Sequence, residues 1–268
     1  MRDKSWVGSF VAVLVTLSGC GGSAPEPDAA SSTPADAFVT PGTDAYRDPS
    51  LDAYVDPGSV RRFGDVVSGE YHLGPVEWSG SFWNACGPYD PAIETLEGSL
   101  LAGLSNELAS DGGECDACIE ITTDRGHTAI ARVVTYGVTS APGNLDLSSA
   151  LYDMLTEGEY PRTMHWQRIT CPTTEPLYVQ YQTGANEWWT SLWIRNPRVP
   201  VDRVEVQSTN HASFTAMTRG ADGTFTDGAG FGTGAFTLRV VGIDGSTYEE
   251  HFDGFTPGAL VRASGNLP

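Results

Sequence analysis

The chain has 268 residues, enough for one or two domains, and a formal net charge of −19 from 34 acidic and 15 basic residues. A surface this acidic repels the phosphate backbone of nucleic acids and the anionic surfaces of membranes and polymers. We therefore expect no nucleic-acid partner.

The first 20 residues have the pattern of a lipoprotein signal peptide. Arg2 and Lys4 precede an apolar run that ends near Leu17 and is too short to span a membrane as a helix. The run ends in Leu17-Ser18-Gly19-Cys20, which is typical of bacterial lipoproteins, where the chain is cut before a cysteine that is then lipidated. The alternative is an ordinary secretory leader that is cut elsewhere. We predict a lipid anchor at Cys20 and an exported protein, attached at the bacterial cell surface (the outer membrane if there are two membranes).

Residues 21–61 are rich in Ala, Ser, Pro and Asp and poor in apolar residues. This composition predicts a disordered linker, because it offers too little apolar surface to bury. Such a linker would hold the folded part of the protein away from the membrane.

Residues 62–173 are predicted to form a first domain of short strands. Three segments have strand composition: Cys118–Thr122, Thr128–Thr135 and His165–Cys171. Leu147–Leu155 is predicted to be a short helix, for which Asp146 is a preferred N-cap residue. Several short strands with one or two helices favour a barrel.

Four cysteines remain once Cys20 is set aside, an even number for an exported chain: Cys86, Cys115, Cys118 and Cys171. Taken alone, Cys115-x-x-Cys118 suits a redox pair or half of a zinc site. Zinc would need a second pair of ligands, and the five histidines are scattered. Structural disulfides are the preferred interpretation in an exported protein, so we expect no metal and no cofactor.

Residues 174–268 are predicted to form a second domain without cysteines. Regularly spaced strand-like segments favour a β-sandwich: Leu177–Gln182, Trp188–Ile194, Val201–Gln207, Ser213–Thr218, Phe236–Gly242 and Tyr248–Phe252. Gly228–Gly234 is rich in glycine, but it does not join a strand to a helix. We therefore reject a phosphate-binding loop there and predict a turn.

Three of the seven tryptophans lie close together in this domain. On a strand, Trp189, Ser191 and Trp193 would share one face, and Trp188 would point the other way with Leu192. A bulge at the Trp-Trp pair would turn both indoles outward. Exposed indoles beside polar residues make a flat platform that suits sugar rings and other planar ligands. The alternative is a tryptophan in the sandwich core with one exposed neighbour.

Together these motifs resemble bacterial expansins over roughly residues 65–268. The matching segments are Ala85-Cys86-Gly87, Gly113-Glu114-Cys115-x-x-Cys118, Leu145-Asp146-Leu147-Ser148, Trp166-x-x-Ile169-x-Cys171-Pro172, and Trp188-Trp189 followed by Arg195-Asn196. The resemblance implies a mainly β fold, with a six-stranded double-psi β-barrel followed by an immunoglobulin-like β-sandwich carbohydrate-binding domain. It also implies the disulfide pairs Cys86–Cys115 and Cys118–Cys171.

The resemblance further implies a polysaccharide groove on the barrel, lined by Asp146. In related endoglucanases the matching Asp is the general acid. The family's other groove residues, an Asp, a Tyr and a Thr, fall at Thr135, Gly137 and near Val76, which puts the activity of the groove in question. We include as further groove candidates the residues at or beside these positions: Thr135, Tyr136, Glu77 and Trp78.

On the sandwich, the resemblance implies that Trp188 and Trp189 bind carbohydrate. The family has a third platform aromatic, which has no counterpart here. Trp193 lies on the same predicted strand face as Trp189, so we predict that it takes the place of the missing ring.

The implied function is non-hydrolytic binding and loosening of plant-type cell-wall polysaccharide, with cellulose and related β-glucans as partners of a monomer. Inverting hydrolysis needs an acid and a base, and the family lacks the base. Two alternatives stay open. One is an enzyme on the same type of barrel, either a weak endoglucanase or a peptidoglycan lytic transglycosylase. The other is a pure cellulose-adhesion module with an inert groove.

Overall fold

The computed structural model describes residues 60–78, 84–109, 111–137 and 141–268. The predicted signal peptide, Cys20 and nearly all of the predicted linker lie outside the described residues. Val60 and Arg61, which we assigned to the linker, belong to the folded part, since the Arg61 N–H donates to Thr170 Oγ1 at 2.9 Å. None of the helices in the described ranges is long and apolar enough to cross a membrane.

A closed six-stranded barrel occupies the described chain up to residue 169. Its elements are β1 (Arg62–Leu73), α1 (Pro91–Glu97), β2 (Leu101–Leu104), α2 (Asn106–Ala109), β3 (Cys118–Thr123), β4 (Thr128–Tyr136), β5 (Leu145–Leu147), α3 (Ser149–Leu155) and β6 (Thr163–Ile169). Neighbouring strands follow the order β1–β5–β2–β4–β3–β6, and β6 pairs with β1 to close the barrel. The β1–β5 and β2–β4 pairs are parallel, and the other pairs are antiparallel.

The barrel core follows the two-residue period of its strands. Ile119 and Ile121 of β3 point inward, as do Leu145 and Leu147 of β5, and all four are buried with Trp166 of β6. The same alternation places the side chain of Asp146, between the two leucines of β5, on the outside of the barrel.

The rest of the described chain forms two packed sheets. Their strands are β7 (Tyr178–Tyr181), β8 (Thr190–Arg195), β9 (Val201–Gln207), β10 (Thr215–Ala216), β11 (Thr218–Arg219), β12 (Phe225–Asp227), β13 (Phe236–Gly242), β14 (Thr247–Phe252) and β15 (Leu260–Arg262). One sheet has the order β10–β9–β13–β14 and the other β11–β12–β8–β7–β15. The core between them includes Leu192 and Ile194 of β8 and Leu238 and Val240 of β13. The predicted barrel followed by a sandwich is confirmed.

Several predicted boundaries are wrong. The closing strand of the barrel, predicted as His165–Cys171, runs over Thr163–Ile169. The helix begins at Ser149, because Leu147 belongs to β5. Strand β8 begins at Thr190 and not at Trp188. The segment expected as one strand at 213–218 is split at Met217, which is buried and donates its N–H to Val204 O at 2.9 Å. The two short pieces on either side pair with different sheets, which a propensity argument cannot foresee.

Candidate functional site

The tryptophan pair lies in a tight turn directly before β8. Asn186 N–H donates to Trp189 O at 2.9 Å, and Trp189 N–H donates back to Asn186 O at 3.2 Å. The side-chain Oδ1 of Asn186 also accepts from the N–H groups of Trp188 and Trp189, at 2.9 and 3.1 Å. The turn leaves Trp188 63% and Trp189 39% exposed. Both indoles therefore lie on the surface, held by this turn and not by the predicted bulge.

We missed Asn186 in the sequence, although its position was a usable signal. An Asn side chain commonly accepts a hydrogen bond from the backbone N–H two residues further along. An Asn two residues before a Trp-Trp pair therefore indicates a turn that fixes the pair.

The glycine-rich loop at 228–234 packs against this turn. Gly232 N–H donates to Glu187 O at 2.8 Å. Gly230 has φ +68°, and a Cβ there would lie only 2.3 Å from Glu187 O. Both the left-handed backbone and the close approach require glycine at Gly230. The loop contains turns, as predicted, and it supports the backbone beneath Trp188.

Trp193 is not part of the exposed surface, because only 2% of it is accessible. Its Nε1–H donates to Asp222 O at 3.0 Å, and the Arg195 guanidinium lies 4.9 Å from its ring centroid. The expectation that Trp193 replaces a third platform ring is therefore wrong. The physical reason is that both faces of β8 are covered: one faces the sandwich core and the other, with Trp193, faces the barrel.

Arg195 follows Trp193 on that face and links the sandwich to the barrel. It is completely buried. Its Nη1 donates to Asp116 Oδ2 at 2.6 Å and its Nη2 donates to Pro88 O at 2.9 Å. Its guanidinium also lies 3.7 Å from the ring centroid of Tyr89, within the range of a cation–π contact. From the sequence we interpreted Arg195 only as part of a motif, and its link to the barrel was missed.

A second buried ion pair adjoins the first. Arg132 Nε lies 2.6 Å from Glu97 Oε2, and Arg132 Nη1 donates to the backbone oxygen of Asp116. Burial raises the pKa of Glu97 to about 7, against the opposing effect of the Arg132 charge. Burial likewise raises the pKa of Asp116, against the effect of Arg195. We call these four side chains the interdomain charge cluster, since Arg195 reaches Asp116 from the sandwich and the other three belong to the barrel. All four are shielded from solvent.

Asp146 lies in the middle of β5 and its side chain points out of the barrel. It is not the helix N-cap that residue preference suggested, because the cap position is Ser148. Only 8% of Asp146 is exposed. A Cβ on Gly74 would lie 2.5 Å from the Asp146 Cβ, so glycine at that position leaves room for the carboxylate.

The ionisable neighbour of Asp146 is His72 on β1. Its Nδ1 lies 3.8 Å from Asp146 Oδ1, and its Nε2 lies 3.6 Å from Glu70 Oε2. Burial raises the pKa of Asp146 and the His72 charge acts to lower it. Neither Glu70 nor His72 was identified from the sequence, because nothing local connects β1 with β5.

The structure uses the other groove candidates differently. Thr135 is fully buried and its Oγ1 accepts the N–H of Ala85 at 3.0 Å. Tyr136 donates its hydroxyl to Ala221 O at 2.6 Å, a contact between the barrel and the sandwich. Trp78 donates its Nε1–H to Gly98 O and packs edge-on against a tyrosine ring. Thr135, Tyr136 and Trp78 thus have structural contacts.

Three further positions belong to the predicted groove. Glu77 is exposed, whereas Val76 is buried in the cluster that contains Cys86. Gly137, at the position of the family's Tyr, has φ +82° and carries no side chain towards the groove. Asp146 differs from Thr135, Tyr136 and Trp78, because its side chain forms no hydrogen bond with another described residue and lies beside the ionisable His72.

The disulfide pairs are confirmed as Cys86–Cys115 and Cys118–Cys171, with Cα–Cα distances of 5.5 and 5.2 Å. Both distances are ordinary for disulfides. The first fixes the loop that carries Pro88 and Tyr89, and therefore the part of the barrel that Arg195 contacts.

Chemically, the site consists of an indole pair that can stack on flat ligands and a carboxylate that can exchange hydrogen bonds or a proton. His72 does not supply the missing base of an inverting hydrolase. The base must act from the opposite side of the sugar ring, roughly 6.5–9.5 Å from the acid. At 3.8 Å, His72 is a direct neighbour of Asp146.

The chain matches no model of a known protein family. Among curated proteins it is similar to expansin-like protein 6 of Dictyostelium discoideum, with 23% identity over 189 residues, 67% of this chain and 63% of that protein. Expansin-like protein 1 of the same organism is 22% identical over 187 residues, again 67% of this chain and 63% of that protein. The chain thus spans 63% of the length of these relatives.

Among solved structures, the chain is similar to an expansin of Clavibacter michiganensis. The apo form gives a TM-score of 0.62 at 19% identity, covering 75% of this chain and 98% of that one. A mutant of the same expansin in complex with cellohexaose gives a TM-score of 0.61 over the same shares. The expected double-psi β-barrel and β-sandwich are confirmed by this likeness. The chain is similar to expansin-like proteins and has the fold of a bacterial expansin.

Proposed function

We propose that this protein binds cellulose or a related β-1,4-glucan and loosens the noncovalent packing of its chains. The observation that carries the proposal is the exposed pair of Trp188 and Trp189. An indole face buries a large apolar area against the C–H face of a sugar ring, and Asn186 fixes the backbone that carries both indoles before any ligand binds. The cellohexaose complex of the Clavibacter expansin supports the ligand class.

The proposed action is non-hydrolytic. Asp146 can protonate a leaving oxygen, but a second group must activate water on the other face of the sugar. Among the described residues, His72 lies beside Asp146 and cannot act from that side. Binding without cleavage would then disturb contacts between glucan chains and leave the glycosidic bonds intact.

The same proposal includes export and attachment through a lipid on Cys20. Its support is Leu17-Ser18-Gly19-Cys20 after a charged and then apolar amino terminus. Several acyl chains hold a protein to a membrane firmly, whereas one holds it only marginally. Detergent-phase partitioning tests this step, and a Cys20→Ala protein that still enters the detergent phase would refute it.

A pull-down with insoluble cellulose tests the binding. Trp188→Ala and Trp189→Ala should each weaken binding about tenfold, and the double variant should lose it. Tyr160→Ala is the control, because Tyr160 is an aromatic residue on the barrel that is also highly exposed. Binding should depend weakly on salt and disfavour anionic pectin, because the protein is acidic.

Two results would contradict the proposal. Normal cellulose binding by the Trp188→Ala, Trp189→Ala double variant would show that the platform is not the binding surface. Release of reducing ends from amorphous cellulose or from purified peptidoglycan, lost on Asp146→Asn, would show that the protein is an enzyme.

A further inference from the structure

Three consecutive side chains in the connection between β9 and β10 bind the glycine-rich loop. Thr209 donates its Oγ1–H to Phe231 O at 3.1 Å. Asn210 donates its Nδ2–H groups to Ala229 O at 3.1 Å and to Gly230 O at 2.9 Å. Three successive backbone carbonyls of the loop are thus satisfied by side chains from a distant part of the sequence.

His211, the next residue, adds a shorter hydrogen bond to a charged group. Its Nε2 lies 2.7 Å from Asp227 Oδ2, and the two side chains are only 15% and 11% exposed. An ionised carboxylate only accepts, so Nε2 carries the proton and donates it. Hydrogen bonds to ionised groups are roughly twice as strong as neutral ones. Asp227 Oδ1 also accepts the N–H of Ala229 at 3.0 Å, so the same carboxylate links His211 to the start of the loop.

These contacts join the two sheets of the sandwich. The β9–β10 connection belongs to the four-stranded sheet, whereas Asp227 ends β12 of the five-stranded sheet. Asp227 is paired with Thr190, the first residue of β8, so the contacts lie at the end of the sandwich that carries the tryptophan pair. Two backbone hydrogen bonds between Ser208 and His211, of 3.0 and 3.1 Å, close a tight turn that fixes the three side chains.

The glycine-rich loop passes this support on to the tryptophan turn. Gly232, which follows Phe231, donates its N–H to Glu187 O at 2.8 Å. A Cβ on Gly232 would collide with the Thr209 hydroxyl, so glycine at this position lets the two segments pack closely. Because Glu187 directly precedes Trp188, a displacement of the loop would move the backbone that carries the exposed indoles.

We propose that Thr209, Asn210 and His211 form a clasp that positions the tryptophan pair for binding, with His211 as its strongest member. The inference rests on the proposed function, since it concerns the binding surface of that function. The clasp acts on Trp188 through the glycine-rich loop and needs no contact with the ligand. Holding a binding surface in place raises affinity, because less conformational freedom is lost when the ligand binds.

Binding isotherms on insoluble cellulose test the clasp. His211→Ala should weaken binding by up to about fivefold, the equivalent of one lost hydrogen bond. His211→Gln should restore most of this loss, because the glutamine amide offers an N–H donor at nearly the same distance from the backbone as the imidazole Nε2. His251→Ala is the matched control and should bind normally. His251 also forms a side-chain hydrogen bond, with Thr237, but both residues belong to the four-stranded sheet.

The indole Nε1–H NMR signals of the same variants separate positioning from a general loss of stability. In His211→Ala the signal of Trp188 should shift or broaden, and that of the buried Trp193, which donates to Asp222 O, should stay in place. In His211→Gln the Trp188 signal should return towards its wild-type position. Thr209→Val removes one hydroxyl group and should also move the Trp188 signal, which keeps the test decisive if His211→Ala does not fold.

Three outcomes overturn the clasp. If His211→Ala binds like His251→Ala while the Trp188→Ala, Trp189→Ala variant loses binding, the clasp is wrong and the proposed function stands. A Trp188 signal that is unchanged in His211→Ala, or that changes together with the Trp193 signal, also refutes the clasp. If the wild-type protein does not bind cellulose, the proposed function fails and the role of the clasp in binding fails with it.

Discussion

Replacing Trp193 by alanine should destabilise the protein, because the structure buries this residue against the barrel. Trp193 is 2% exposed and donates to Asp222 O at 3.0 Å. Removing a buried Trp costs about 3–5 kcal/mol, and the Asp222 carbonyl is left without its donor, which adds to the loss. A unit of this size loses about 2–4 °C per kcal/mol, so the melting temperature should fall by about 6–20 °C.

Thermal unfolding followed by circular dichroism measures this effect, with Trp188→Ala as the control. Trp188 is 63% exposed, so its removal should change stability by less than about 0.5 kcal/mol. Trp193→Phe keeps most of the apolar surface but loses the Nε1–H donor, so it should melt between the wild type and Trp193→Ala. If Trp193→Ala instead melts like the wild type and loses cellulose binding, Trp193 belongs to the platform and this prediction is wrong.

Three further predictions concern the turn and the interdomain charge cluster. Gly230→Ala should weaken cellulose binding and lower the melting temperature, because its Cβ would lie 2.3 Å from Glu187 O. Gly228→Ala is the control, because there is open space around Gly228. Equal binding and equal melting temperatures of the two variants would contradict this prediction. Asn186→Ala should reduce cellulose binding about fivefold in a pull-down, because the turn loses the two hydrogen bonds that Asn186 Oδ1 accepts. Asn186→Asp keeps this acceptor and should bind cellulose nearly normally. Equal losses of binding in both variants would show that these hydrogen bonds do not hold the platform. The pKa of Glu97 is raised from 4.5 to about 7, so the folded state binds this proton more tightly than the unfolded state. Stability should therefore fall by up to about 3 kcal/mol as pH rises from about 4.5 to about 7. Urea unfolding at several pH values measures this loss of stability, which should be absent in Glu97→Gln. If the unfolding free energies of the wild type and of Glu97→Gln change in parallel with pH, the prediction is wrong.

Much of the fold is predictable from local patterns. Alternating apolar residues in β3, β4, β9 and β13 predicted those strands closely, because one face of each strand packs in a core and the period of two is a property of the chain itself. The short strands β2 and β5 were missed. β2 has four residues and none of them is polar, and β5 has only three residues, so neither strand is long enough for an alternation of apolar and polar residues to mark it.

The barrel, the sandwich and the place of the Trp-Trp pair were predictable without a structure, because strand period and composition are properties of the chain and the cysteine spacing resembles that of expansins. Which tryptophans are exposed, and what lies next to Asp146, depends on how the strands pack. Periodicity shows that the two faces of β8 differ, but not that the barrel covers the face of Trp193 and Arg195. Likewise, His72 reaches Asp146 only because β1 and β5 pair in parallel, and such long-range pairing depends on the packing of the whole barrel.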